Sequence, residues 1–111
     1  MRQGTTPTYT LIVSGYNLTV MTVFVTVRGR HSKLITKTGD ALSIVYGDGA
    51  STIAFALSQE DTFALGLGSA EVQVRFIDVD GTAYATDIAA LEVLPVLLPG
   101  VIEYGGGGGN A

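Results

Sequence analysis

The residues best suited to chemistry lie together in "VRFIDVDGTAY", Val74 to Tyr84. An apolar run leads to Asp78 and Asp80, two carboxylates one residue apart, and Gly81 and Thr82 follow. Carboxylates so placed could hold Mg²⁺ against a phosphate and serve phosphoryl transfer. The same letters also describe two β-strands joined by a tight turn. Asp-Gly is a favoured pair where positive φ is required, and an Asp side chain can accept from backbone N–H groups two residues on. The choice depends on what the rest of the chain can build around Asp78.

Other chemistry has little to work with. The chain has no cysteine, which excludes a thiol nucleophile, a disulfide framework and a thiolate zinc site. The single histidine, His31, cannot supply paired imidazoles, and Ser32 beside it reads as a turn residue. A calcium site from Asp78 and Asp80 lacks the other ligands of an EF-hand-like loop. Gly105 to Gly109 is not a phosphate loop, because no Lys-Ser/Thr follows it. No catalytic residue, metal or cofactor is therefore expected. A net charge of −4 argues against nucleic acid as the main ligand, since phosphate binding needs a basic surface. No apolar run approaches the roughly 20 residues that span a bilayer. Met1 to Pro7 carries one positive charge with no apolar stretch behind it, so export by a secretory signal is not expected.

The elements that must position Asp78 are strands. Thr8 to Ser14 alternates, with Tyr9, Leu11 and Val13 on one side. Met21 to Arg28 alternates β-branched residues at a density that suits a pleated sheet and disfavours a helix. Gly29 to Ser32 reads as a turn and Lys33 to Thr38 as the return strand. Leu42 to Tyr46 and Thr52 to Leu57 flank Gly47-Asp48-Gly49, a strong hairpin signal. "LSQEDTFAL" holds the one helix signal: Ser58 caps, Asp61 sits at the reciprocal position, and Phe63 and Leu65 face inward. Glu71 to Ile77 places Val72, Val74 and Phe76 inward. Ala83 to Val93 changes parity near Asp87, which calls for a bulge or kink there. About seven strands with turns every eight to twelve residues or so predict an all-β fold, an antiparallel immunoglobulin-like β-sandwich over residues 8–94 with one short helical crossover.

Against that background the catalytic reading weakens. Asp-x-Asp-Gly-Thr after an apolar run resembles the start of the active site in haloacid dehalogenase phosphotransferases. That resemblance implies Asp78 as nucleophile and Asp80 as general acid/base. The family motif opens a βαβ fold and needs a much longer chain after it, supplying a Ser/Thr, a Lys and a second acidic pair. Here Asp80 is followed by 31 residues that include a glycine run, and no long amphipathic helix is available for crossovers. The hairpin reading accounts for every residue.

Three features point outward instead. Hydrophobic residues make up 47% of the chain and charged ones 14%, against roughly 25% charged in a usual soluble domain, which suits a surface partly covered by partners. Four of the six basic side chains, Arg28, Arg30, Lys33 and Lys37, lie within ten residues, and every acidic residue lies at Asp40 or later. They either decorate a solvated hairpin and guard its edge, or form a basic face for the acidic face of a neighbouring copy. Finally, "LPVLLPGVIEYGGGGGNA" places Val96, Leu97, Leu98, Val101 and Ile102 on a stretch whose Pro95 and Pro99 forbid a central strand. Residues 95–104 are expected as an edge strand of the sandwich or as an arm docking on another subunit. Residues 1–7 are expected as an N-terminal arm and 105–111 as a flexible glycine-rich tail.

The chain also resembles a group of small virion-associated proteins of phages and prophages of Gram-positive bacteria, in "MRQGTTPTYT", "LSQEDTFAL", "AEVQVRF" and "ATDIAALEV", which are spread in order over most of residues 1–94. At the level of fold it is similar, more weakly, to the N-terminal β-sandwich of lactococcal-type upper-baseplate proteins. The resemblance implies a structural component of a tailed-phage particle, in the tail, baseplate or capsid decoration. It further implies other virion proteins and further copies of itself as partners, and the virion, with the host cytoplasm during assembly, as location. It implies no catalytic residues. A module that binds a host cell-surface polymer is the alternative of a different class.

Overall fold

The computed structural model describes residues 1–104. In chain order the elements are β1 (Thr8–Ser14), a single 3₁₀ turn (Leu18–Val20), β2 (Thr22–Arg28), β3 (Leu34–Thr38), a second 3₁₀ turn (Gly39–Ala41), β4 (Leu42–Gly47), β5 (Ala50–Ala56), α1 (Gln59–Ala64), β6 (Gly68–Ile77), β7 (Ala83–Ala85) and β8 (Ala89–Val93). They form two antiparallel sheets. One is three-stranded in the order β1-β5-β4; the other runs β3-β2-β6, with β7 and β8 pairing successive stretches of the far side of β6. This is the order of an immunoglobulin-like sandwich in which β3 is an extra edge strand of the variable type; among the described residues no strand pairs beside β1, where such a sandwich has its first strand. The expected strand from Ala83 to Val93 divides in two, which makes eight strands among the described residues.

The period-two pattern sets which faces are buried. Val23, Val25 and Val27 of β2 stand opposite Phe76, Val74 and Val72 of β6. All six are buried, and they meet Val13, Ile53 and Phe55 of the other sheet. A one-residue slip would turn all of them to solvent, so burial itself holds the register. Each of the larger side chains contributes about 1.5–3 kcal/mol by leaving water.

The turns follow from local chemistry. Asp48 (φ 53°) and Gly49 (φ 76°) form the two-residue connection between β4 and β5, both in the left-handed region, as a primed hairpin turn demands. The parity change near Asp87 is a bulge: Gln73 and Val74 of β6 face the three residues Thr86 to Ile88, and the pairing register shifts by one between β7 and β8. Thr86 holds the break together. Its N–H donates to the Val74 carbonyl at 2.9 Å, and its hydroxyl accepts from the Val74 N–H at 3.1 Å.

Helix α1 carries the chain from the three-stranded to the five-stranded sheet. Its capping box is complete: the Asp61 N–H donates to the Ser58 hydroxyl at 3.0 Å, and the Ser58 N–H donates to the Asp61 carboxylate at 2.9 Å. Leu65 is buried as expected, but Phe63 is only half buried. Thr62 takes the inward place, where its hydroxyl donates to the Gln59 carbonyl and accepts the Gly4 N–H. Phe63 covers Gly4 instead, with ring atoms 3.2 Å from where a Cβ would sit.

The N-terminal end differs from expectation, and of the two readings of residues 95–104 the edge strand is not formed. Residues 1–7 are not a free arm. Arg2 bridges Leu94 in parallel fashion, Gln3 N–H donates to the Leu94 carbonyl at 2.9 Å, and Leu57 N–H donates to the Pro7 carbonyl at 3.0 Å. The edge strand considered for residues 95–104 is not formed: the last strand ends at Val93 and the chain continues without a ladder. Pro95 and Pro99 lack the N–H groups that a ladder needs. The glycine-rich stretch 105–111, expected as a flexible tail, lies outside the described residues.

Candidate functional site

The Asp-Val-Asp-Gly segment is a hairpin. Asp78 N–H donates to the Thr82 carbonyl at 3.0 Å and Gly81 N–H to the Asp78 carbonyl at 3.1 Å, closing a three-residue loop between β6 and β7. Of the Asp-Gly pair, only Gly81 (φ 85°) takes positive φ. One Asp78 carboxylate oxygen accepts the N–H groups of both Asp80 and Thr82, at 2.9 and 3.0 Å. The strands on either side are antiparallel, so Asp78 is not delivered by the parallel strand that the phosphotransferase reading requires. Among the described residues, no group of three or more His, Asp or Glu is placed to hold a metal ion. The aromatics nearest this loop pack on one another: Tyr16, Phe76 and Tyr84 have ring centroids 5.0–5.1 Å apart, and Phe76 is buried.

The basic residues divide by role. Arg28 stands opposite Glu71 in the β2–β6 register and is ion-paired with it. Lys37 lies on the inward face of β3, opposite Val25, and bridges Asp61 of α1 at 2.8 Å with both side chains largely covered. An inward-pointing charge on an edge strand also discourages another chain from pairing there. Arg30 and Lys33 project from the loop between β2 and β3 and are exposed. That loop is anchored to the end of α1: Arg30 N–H donates to the Leu65 carbonyl at 2.9 Å, and Gly29 lies so close that a Cβ there would sit 2.4 Å from the Leu65 oxygen.

The apolar residues of the C-terminal segment are largely exposed. Leu97 and Tyr104 are fully exposed, Leu98, Val101 and Ile102 are at least half exposed, and Val96 is 38% exposed. The backbone is what the domain holds. The Gln59 side-chain amide donates to the Ile102 carbonyl at 2.8 Å and accepts the Ile102 N–H at 2.7 Å, while Arg2 donates to the Pro95 carbonyl at 2.8 Å. The segment is thus pinned across the start of α1 with Leu97, Leu98, Val101 and Ile102 exposed. Arg28, Arg30 and Lys33 are not brought to it; no hydrogen bond or ion pair joins the two groups among the described residues. Neither Gln59 nor Arg2 stands out in the sequence, because a polar residue that clasps a backbone forty or ninety positions away carries no local signature.

No protein-family model matches the chain, and no curated protein matches it.

Proposed function

We propose that the protein is a non-enzymatic structural subunit of a tailed-phage particle, assembling through its C-terminal segment onto a neighbouring subunit. The observation that carries the reading is the exposure of Leu97, Leu98, Val101 and Ile102 on a backbone held in place. Exposed apolar side chains on one pinned segment are what an interaction site presents. Covering them is worth about 1.5–3 kcal/mol for each side chain fully buried. The resemblance to virion-associated proteins supplies the setting, a particle in which such surfaces are covered.

Deletion of Pro95 to Ala111 tests it. Among the described residues none beyond Val93 belongs to the buried core, so the truncated chain should fold with nearly unchanged stability. It should be missing from particles assembled in its presence. Normal incorporation of the truncated chain would overturn the proposal, as would an intact chain absent from purified particles.

A further inference from the structure

The two sheets treat their edges differently. In the five-stranded sheet, β3 carries the inward Lys37, and the β7–β8 side is interrupted by the bulge at Thr86 to Ile88 and covered at its end by Met1 to Gln3. Such devices keep strand edges from pairing with other chains. The three-stranded sheet has none of them: no residue of β1, β4 or β5 carries a charge, and none is proline. Beside β4 the 3₁₀ turn at Leu18–Val20 packs between that strand and β2. Among the described residues no strand pairs beside β1, and the N-terminal segment crosses to Leu94. An open groove runs along this edge, between Leu11 to Val13 and the bulge at Thr86 and Asp87.

We infer that β1 is a self-pairing edge, on which a second copy of this chain adds its own β1 in antiparallel orientation to make one continuous six-stranded sheet. The strand is built for its own reflection. Centred on Leu11, a two-fold pairing sets Tyr9 against Val13 and Thr10 against Ile12, and residues directly opposite share a face. The apolar set Tyr9, Leu11 and Val13 then continues the inner face across the junction, and Thr10 and Ile12 continue the outer one. In such a pairing a charge on the strand would meet its own copy nearby, and β1 has none. Ile12, 70% exposed on the outer face of one chain, gains a neighbour. This inference does not rest on the C-terminal segment, and every variant used to test it keeps that segment intact.

The test is association of the full chain by sedimentation velocity across a concentration series. Thr10 and Ile12 point outward, so substitution there spares the core. The double variant T10K/I12K sets like charges opposite each other twice and should weaken association by about tenfold or more. The variant T10E/I12K sets opposite charges at the same two places and should restore it. Hydrogen exchange of the wild type is the second measurement: protection of β1 amides should rise with concentration while β3 amides stay unchanged. Equal association of T10K/I12K and wild type, a wild type monomeric throughout, or β1 protection independent of concentration would each overturn the inference.

Discussion

Two loops of this domain have the same geometry and different reasons for it. Between β2 and β3, Gly29 N–H donates to the Lys33 carbonyl and Ser32 N–H to the Gly29 carbonyl; between β6 and β7, Asp78 and Thr82, then Gly81 and Asp78, make the same pair of bonds. Both loops place their fourth residue in the left-handed region, Ser32 at φ 64° and Gly81 at φ 85°. The Asp78 loop is held by its own carboxylate on two of its own N–H groups. The Gly29 loop has no such side chain and is held by the rest of the protein, through Leu65. One loop is therefore written in its own five residues, and the other only makes sense beside α1.

Gly29→Ala should show the largest difference. Its φ is not positive, so glycine is required there by space: a Cβ would lie within 3 Å of three backbone atoms of Leu65. Backbone cannot swing aside as a side chain can, and overpacking of this kind costs about 3 kcal/mol. Urea unfolding should report that loss, with exchange rising first in α1. Unchanged stability would mean that the loop and α1 separate freely.

Asp78→Ala should act locally and less severely. Two backbone N–H groups lose their acceptor at an exposed turn where water can replace it, which costs about 1–2 kcal/mol. Asp78→Asn keeps one acceptor oxygen and should recover most of it. Exchange should quicken at Asp80 and Thr82 while α1 stays protected, the reverse of the Gly29 pattern. Mg²⁺-dependent phosphatase activity lost with Asp78 would instead restore the catalytic reading of this loop.

The support beneath the Gly29 loop should also respond to acid. Partial burial of Asp61 works against its charge, but the hydrogen bond and charge of Lys37, with the N–H and hydroxyl of Ser58, outweigh that and hold its carboxyl below the ordinary value. In the unfolded chain it titrates near pH ~4. The folded value is the lower one, so this group's contribution is complete above the unfolded pKa and is lost as pH falls through the folded one. Below pH ~4, exchange in α1 and the Gly29 loop should rise, and Asp61→Asn should remove that part of the acid response.

What could be read from the sequence was local. Alternation gave β1 its residues and β6 its inward set, Ser58 and Asp61 announced their capping box, and the parity change at Asp87 announced the bulge. Distant partners decided the rest. Thr62 displaced Phe63 from the core because the Gly4 backbone needed an acceptor. Residues 1–7 became part of the sandwich because Leu94 offered one. Val96 to Ile102 looked like an edge strand or an arm from composition alone; no ladder forms there, and the backbone is held instead by a Gln59 clasp 43 positions away. The bare edge of β1 is a property of topology, visible only once the neighbouring strand is known to be missing.

The smallest effect is the most direct comparison of the two loops. Ser32 occupies a conformation in which its Cβ crowds the backbone, at a position where the other loop has glycine. Ser32→Gly should therefore stabilise the protein by about 0.5–1 kcal/mol, part of the relieved strain being offset by the greater freedom of glycine in the unfolded chain. Gly81→Ser should destabilise by a similar amount, since the same exchange is made in reverse. Thermal unfolding of both variants reads the pair. Equal and opposite shifts would show that the fourth position behaves alike whatever holds the loop. A loss on Ser32→Gly would show that the Ser32 side chain supplies something the backbone geometry does not, and the likeness between the loops would then end at their hydrogen bonds.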